Sequence, residues 1–181
     1  MSKDILTGPN LRLRAVEPAD IDMLYEWENN TSVWNVSNTL TPFSRFQIEE
    51  YVMNSQNDIY AARQLRLMIE LYTGVAAPET IGCIDLFDFE PHHLRAGIGV
   101  LIAEKYRDQG YAGEALEILM YFAFGTLHLH QLYCNIAANN LNSVHLFEKH
   151  GFTRCGIKRE WLIEGLSWSD EWMFQRIQTN E

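Results

Sequence analysis

Between Gly97 and Leu116 the chain reads Gly-Ile-Gly-Val-Leu-Ile-Ala-Glu-Lys-Tyr-Arg-Asp-Gln-Gly-Tyr-Ala-Gly-Glu-Ala-Leu. This segment constrains the fold more than any other, because it describes a strand, a tight turn and the start of a helix. Gly97 and Gly99 interrupt the strand, where glycine marks a bulge or a close backbone approach. The first amides of the helix lack intrahelical acceptors, and the helix dipole favours negative charge beside them. Gly110, with the small Ala112 and Gly113, lets an anion approach those donors, and Lys105 and Arg107 add positive charge at the rim. A phosphate or pyrophosphate cradle is one reading and a solvent-exposed turn is the other. A Walker-type phosphate loop is excluded, since G-x-x-x-x-G-K-[ST] is absent. No G-x-G-x-x-G opens an early strand–helix junction, so a dinucleotide fold is not supported.

The sequence has 181 residues with 47% hydrophobic content, which fits a single domain over 1–181 with a sizeable core. With 24 acidic against 14 basic residues, the formal net charge is -10. Such a surface repels nucleic-acid phosphates and anionic lipid while concentrating cations such as amines, so neither nucleic acid nor membrane is an expected partner. The N-terminus lacks the apolar core of a signal peptide, and the stretch from Ala115 to Leu127 is too short to span a bilayer. Cys83, Cys134 and Cys155 are odd in number and widely spaced, which argues against a disulfide framework and for a cytoplasmic protein. Each is read as a small buried hydrophobe.

Periodicity predicts a strand at 11–15 and a helix opened by Pro18 and ending near Asn29-Asn30. Ser44 and Gln47 form a capping box for a second helix reaching about Asn54. The polar segment Thr31 to Pro42 between them is a candidate substrate-facing loop. Strands follow at 64–72, 80–89 and 94–103, with a turn at 73–79. A long helix at 110–125, a strand at 132–137, a helix at 141–150 and strands near 153–163 and 168–177 complete the chain. This order predicts one α/β (α+β) domain, a mixed sheet covered by helices.

Arg107-Asp108-Gln109-Gly110-Tyr111-Ala112 resembles the [Q/R]-x-x-G-x-[G/A] acetyl-coenzyme A motif of the GNAT N-acetyltransferase superfamily. Downstream, Asn140-Leu-Asn-Ser143 and Glu148-Lys149-His-Gly151-Phe152 are similar to the family's second signature, and the likeness extends from about Leu11 to Phe174. The branch it most resembles contains the spermidine and ribosomal-protein N-terminal acetyltransferases. The resemblance implies a mostly antiparallel sheet whose central strands splay, acetyl-coenzyme A as acetyl donor, and a primary amine as acceptor: a small polyamine such as spermidine, or a protein N-terminus. It implies that the backbone of Val100, Leu101 and Ile102 pairs with the pantetheine arm. Arg107, Asp108, Gln109, Gly110, Tyr111, Ala112 and Gly113 would cradle the pyrophosphate. Asn140 would bond the arm, and Phe147 and Lys149 would lie along the coenzyme. A homodimer is also implied, with Trp161, Trp168 and Trp172 packing the core or the dimer interface.

An alkyl ammonium titrates near pH ~10, so it must lose a proton before it attacks a thioester. Many family members place a Glu on the central strand for this, and the resemblance puts Gly97 at the matching position. Phe147 replaces the tyrosine proposed as general acid in the spermidine enzymes. The remaining candidates are Asp85, Asp88 and His92; with Glu90, the two aspartates attract an ammonium or form a solvated strand edge. A coenzyme-binding module without catalysis is the alternative that these two replacements raise. His128-Leu-His130 with Cys134 lacks a fourth ligand, so no metal is expected, and His145 and His150 are read as helix-surface residues.

Overall fold

A computed structural model of the chain describes residues 4–32, 34, 39–55, 58–72 and 77–179. Strand β1 (Leu11–Ala15) alternates leucine and arginine and buries the two leucines. A short 3-10 turn at Pro18–Asp20 leads into α1 (Ile21–Glu28), and α2 (Arg45–Asn54) begins at the expected cap. There Ser44 Oγ accepts from the Gln47 amide at 3.2 Å while Gln47 Oε1 accepts from the Ser44 amide at 2.7 Å. A short helix α3 (Ile59–Ala62) follows, then β2 (Leu65–Leu71), β3 (Glu79–Glu90) and β4 (Arg95–Ile102). Helix α4 (Tyr111–Gly125), β5 (Gln131–Ala137), α5 (Leu141–Lys149), β6 (Thr153–Glu164) and β7 (Ser167–Ile177) complete the order. The element order matches the sequence reading with α3 added. The substrate-facing loop read at Thr31 to Pro42 lies partly outside the described residues, as does most of the turn at 73–79.

The seven strands form one sheet in the order β1-β2-β3-β4-β5-β7-β6. Every neighbouring pair is antiparallel except β4 and β5, which run parallel. That parallel pair is held over three rungs alone: Arg95↔Gln131, Ala96↔Leu132 and Gly97↔Tyr133. Beyond Gly97, β4 continues to Ile102 bonded to β3 on its other side, while β5 continues bonded to β7. The two central strands therefore part, and a wedge opens in the middle of the sheet.

Alternation along the strands decides which residues face which helices. On one face α4 packs across β1, β3 and β4, and Ile84, Ile98, Leu116, Leu119, Leu132 and Phe174 are almost fully buried in its cluster. On the other face Met68 and Cys83 meet Leu24 of α1 and Ile48 and Val52 of α2 in a second cluster. Each such aliphatic or aromatic side chain contributes about 1.5–3 kcal/mol on burial, so both faces are held firmly. Among the described residues, no helix is long and apolar enough to cross a membrane. Cys83 and Cys134 are buried as read, but Cys155 is exposed, because the outer β6 strand has no layer covering it there.

Candidate active site

The wedge leads directly into the glycine-bearing turn. After Ile102, a 3-10 turn at Glu104–Tyr106 reverses the chain, Asp108 takes a left-handed φ of 60°, and Gly110 caps α4 at φ +84°. The Gly110 carbonyl accepts the amides of Gly113 (3.1 Å) and Glu114 (3.2 Å), leaving the amides of Gly110, Tyr111 and Ala112 at the helix mouth. A β-carbon at Gly110 would meet nothing within 4 Å, so glycine is required there by backbone conformation, and the space over the mouth is open. Arg107 hooks its Nε onto the Ile102 carbonyl at 3.1 Å, which holds an exposed guanidinium where the strand ends and the loop begins. Gln109 ties the loop internally by donating to the Lys105 carbonyl at 3.1 Å.

Two parts of the cradle differ from the sequence reading. Lys105 is not a free rim charge: its ammonium bonds Glu79 Oε1 at 2.8 Å, and that hydrogen bond raises its pKa. Gly113 has its amide engaged with Gly110, and its open side faces His150, whose ring carbon would lie 3.0 Å from an added β-carbon. His150 is buried, not on the helix surface, since the C-terminus of α5 docks onto the first turns of α4 at that point. Its Nδ1 lies 2.6 Å from the Leu146 carbonyl.

Asn140 caps α5, with Oδ1 accepting the Ser143 amide at 3.2 Å, so its amide nitrogen is the part left to meet a ligand. Phe147 is 4% exposed and stacks edge-to-face on Phe152 at 5.0 Å. It lies in the core rather than along an open surface, because α5 turns its apolar side to the sheet. Lys149 is exposed in the last turn of the same helix.

On the opposite face of the sheet lies a cleft of about 410 Å³, lined by α1, α2, β2 and β3. Its polar wall is a network centred on Arg66 of β2. The Arg66 guanidinium bonds both oxygens of Asp85 at 2.7 and 3.1 Å and Glu28 Oε1 at 2.5 Å, and lies 5.4 Å from the centre of the Tyr51 ring. Burial opposes the arginine's charge, yet the facing Asp85 carboxylate holds its pKa well above the ordinary value. Burial also lifts the Tyr51 phenol to about 12, so it stays neutral. One arginine between two carboxylates leaves the cleft with a negative balance. Phe87 completes the wall, and its ring crosses β4. A β-carbon at Gly97 would lie 2.2 Å from that ring, which is the close approach that the mid-strand glycine permits.

Asp85, Asp88 and Glu90 therefore do not act as one cluster. Asp85 is committed to Arg66 through both oxygens and is not a free base. Glu90 lies 3.4 Å from Arg63 and accepts the His92 amide at 3.2 Å. A bulge between Phe87 and Glu90 turns Asp88 outward at φ 48°, where Oδ2 accepts the Tyr133 hydroxyl at 2.9 Å. His92 is exposed in the β3–β4 turn with its ring against His93. Sequence reading missed Glu28, Arg66 and Tyr133. Alternation in β5, where Leu132, Cys134 and Ile136 are buried, was the one available signal for Tyr133. Among the described residues, no three His, Cys, Asp or Glu side chains gather as a metal-ligand set.

The family model described as "Acetyltransferase (GNAT) domain" matches residues 10–153. The chain belongs to the GNAT acetyltransferase family. It is an N-acetyltransferase of the branch that includes the spermidine enzymes. A spermidine N(1)-acetyltransferase of Vibrio cholerae is 27% identical over 156 residues, covering 86% of each chain. A crystal structure of the V. cholerae spermidine N-acetyltransferase in complex with CoA and spermine aligns at TM-score 0.84 and 24% identity, over 94% of this chain and 97% of that one. A dodecameric structure of the V. cholerae enzyme aligns at TM-score 0.78 and 26% identity, over 94% and 95%. The Phe87 ring occupies the space that any side chain at Gly97 would need.

Proposed function

We propose that this GNAT enzyme transfers the acetyl group of acetyl-coenzyme A to a primary amine of a small polycation of the spermidine class. The negatively balanced cleft beside the wedge carries this reading, because Asp85 and Phe87 line it and pair with Gly99 and Gly97 of β4. An ammonium drawn to Glu28 and Asp85 is thereby held next to the parted strands. The spermidine N-acetyltransferases among its relatives support the same acceptor.

Acetyl-coenzyme A would enter the wedge from the other side. The open amides at Gly110, Tyr111 and Ala112 and the Arg107 guanidinium suit the pyrophosphate. The unpaired edge of Val100, Leu101 and Ile102 suits an extended amide-bearing arm, with the Asn140 amide group reaching it from α5. Phe147 would shape the floor from the core, and Lys149 would face the coenzyme's outer phosphates. A strand amide at the closed end of the wedge would polarise the thioester carbonyl.

The test is incubation with acetyl-coenzyme A and a mixed panel of spermidine, spermine, diamines, amino acids and short peptides, read by mass spectrometry. Acetylated polyamine is the expected product. Acetylation of peptide N-termini alone would move the acceptor class to proteins, and no acetylated product despite coenzyme binding would remove the transferase reading.

The reading also includes a homo-oligomer in the cytoplasm. Trp161, Ile163, Leu166 and Trp168 are exposed together on the β6–β7 hairpin, and a relative is dodecameric. Sedimentation at micromolar concentration is expected to show a dimer or larger assembly, and Trp161→Lys with Leu166→Lys is expected to dissociate it. A wild-type monomer under those conditions would refute the assembly.

A further inference from the structure

The expected proton-transfer positions hold Gly97 and Phe147, neither of which can carry a proton, yet the reaction must strip one from the acceptor. We propose that Tyr133, hydrogen-bonded to Asp88, is the proton conduit of the active site. The inference rests on the acetyl-coenzyme A reading above and adds the residue that makes its chemistry run.

Four observations place Tyr133 there. It occupies the last rung, Gly97↔Tyr133, before β4 and β5 part, so it stands at the closed end of the wedge. An arm entering past the loop and following β4 backwards from Ile102 ends at that rung, five residues or about 17 Å along the strand. Its ring meets Phe87 edge-to-face at 5.9 Å, and Phe87 also lines the acceptor cleft, so the phenol lies on the acceptor's side of the sheet. Its hydroxyl points at an exposed carboxylate, Asp88 Oδ2, at 2.9 Å. Asp88 is held in place by an uncommon left-handed backbone inside a bulge, a conformation that non-glycine residues adopt where surrounding structure imposes it.

The charges determine the direction of transfer. Burial first, and then the hydrogen bond to Asp88, lift the phenol to about 12. Tyr133 thus stays protonated, and giving its proton to a thiolate would leave tyrosinate beside a carboxylate. The favourable path runs the other way. Tyr133 Oη takes a proton from the bound ammonium as its own proton passes to Asp88, which releases it to water. The neutral nitrogen then attacks the thioester carbonyl, the N–C bond forms and the C–S bond breaks. The second proton leaving nitrogen goes to the departing thiolate to give coenzyme A, so an ammonium and a thioester yield an amide, a thiol and one released proton. Arg95 of β4 is the other charged group acting on Tyr133, and its partner on β7, Gln175, is neutral.

The experiment compares wild type, Tyr133→Phe and Asp88→Asn, with spermidine as acceptor, across pH 7 to 10. Coenzyme A affinity and thermal midpoint are measured alongside. Both variants are expected to keep coenzyme affinity and fold while losing about 100-fold in kcat/KM at pH 7. The loss should narrow at least tenfold by pH 10, where about half of an alkyl amine of pKa about 10 arrives neutral and needs no conduit, against about one in a thousand at pH 7. A defect that is the same at every pH marks a structural role and overturns the proposal, as does full activity in Tyr133→Phe. A wild-type protein that binds no acetyl-coenzyme A, or acetylates no amine, fails earlier and takes the functional reading down with it.

Discussion

Arg66→Ala is expected to lower the unfolding free energy by about 2–4 kcal/mol and to depress the thermal midpoint by about 5–15 °C. Three hydrogen bonds from the guanidinium join β2 to Asp85 of β3 and Glu28 of α1, so a single side chain ties two strands to the helical layer above them. Removing it leaves two carboxylates facing each other across a cleft with no counter-charge. Breaking a buried pair from one side typically costs about 3–5 kcal/mol, because the stranded charge keeps its desolvation penalty. The Asp85 and Glu28 side chains are 25% and 22% exposed, so water can relieve part of this and the lower range applies. Arg66→Lys should lie between wild type and alanine, since a point charge cannot span both Asp85 oxygens and Glu28 at once. Urea unfolding of the three proteins decides the matter. An alanine variant within 0.5 kcal/mol of wild type, in the spirit of a surface ion pair, would show that the network contributes nothing.

Gly110→Val is expected to weaken coenzyme A binding about 100-fold while leaving the folded chain intact. Packing is not the reason, because a β-carbon at Gly110 would meet nothing within 4 Å beyond its chain neighbours. The reason is conformational. At φ +84° an L-residue is strained by about 1–2 kcal/mol, and a β-branched residue by more. Relief of that strain rotates the Gly110 amide away from the helix mouth, and the branched side chain covers the amides of Tyr111 and Ala112. Losing one charge-assisted hydrogen bond to a phosphate, together with the strain, amounts to about 3 kcal/mol, which is the expected factor in affinity. Calorimetric titration with coenzyme A measures it directly. Unchanged affinity in a folded Gly110→Val protein would remove the pyrophosphate from this loop.

These two residues were unequally visible in the sequence. Gly110 stands in a motif whose spacing is local, so strand, turn and helix mouth could be read in order. The same locality made the Ser44–Gln47 cap readable, and the strand and helix order with it. Helix α3 was missed because four residues, Ile-Tyr-Ala-Ala, are too few to show a helical period. Arg66 was missed for a different reason. Its partners lie 38 and 19 residues away on other elements, and an arginine in a strand carries no sign of a buried ion network. The same distance explains Asp85, which sequence alone offers as a free base and which register places opposite Arg66. His150 follows a lysine at a helix end and reads as exposed, yet docking of α5 on α4 buries it.

What the sequence determined by itself is the set of statements that depend on near neighbours: the alternating strands, the caps, the open amides at Gly110 and the acidic balance that favours a cationic acceptor. Family membership follows from those local motifs and their order. What only the tertiary structure decided is which groups meet. The three-rung pairing of β4 with β5 opens the wedge, Phe87 crossing Gly97 excludes a side chain there, and a bulge brings Asp88 to Tyr133. The physical reason is that local propensities act through a few residues of backbone, whereas hydrogen bonds, ion pairs and buried contacts depend on registers that arise once distant strands have paired.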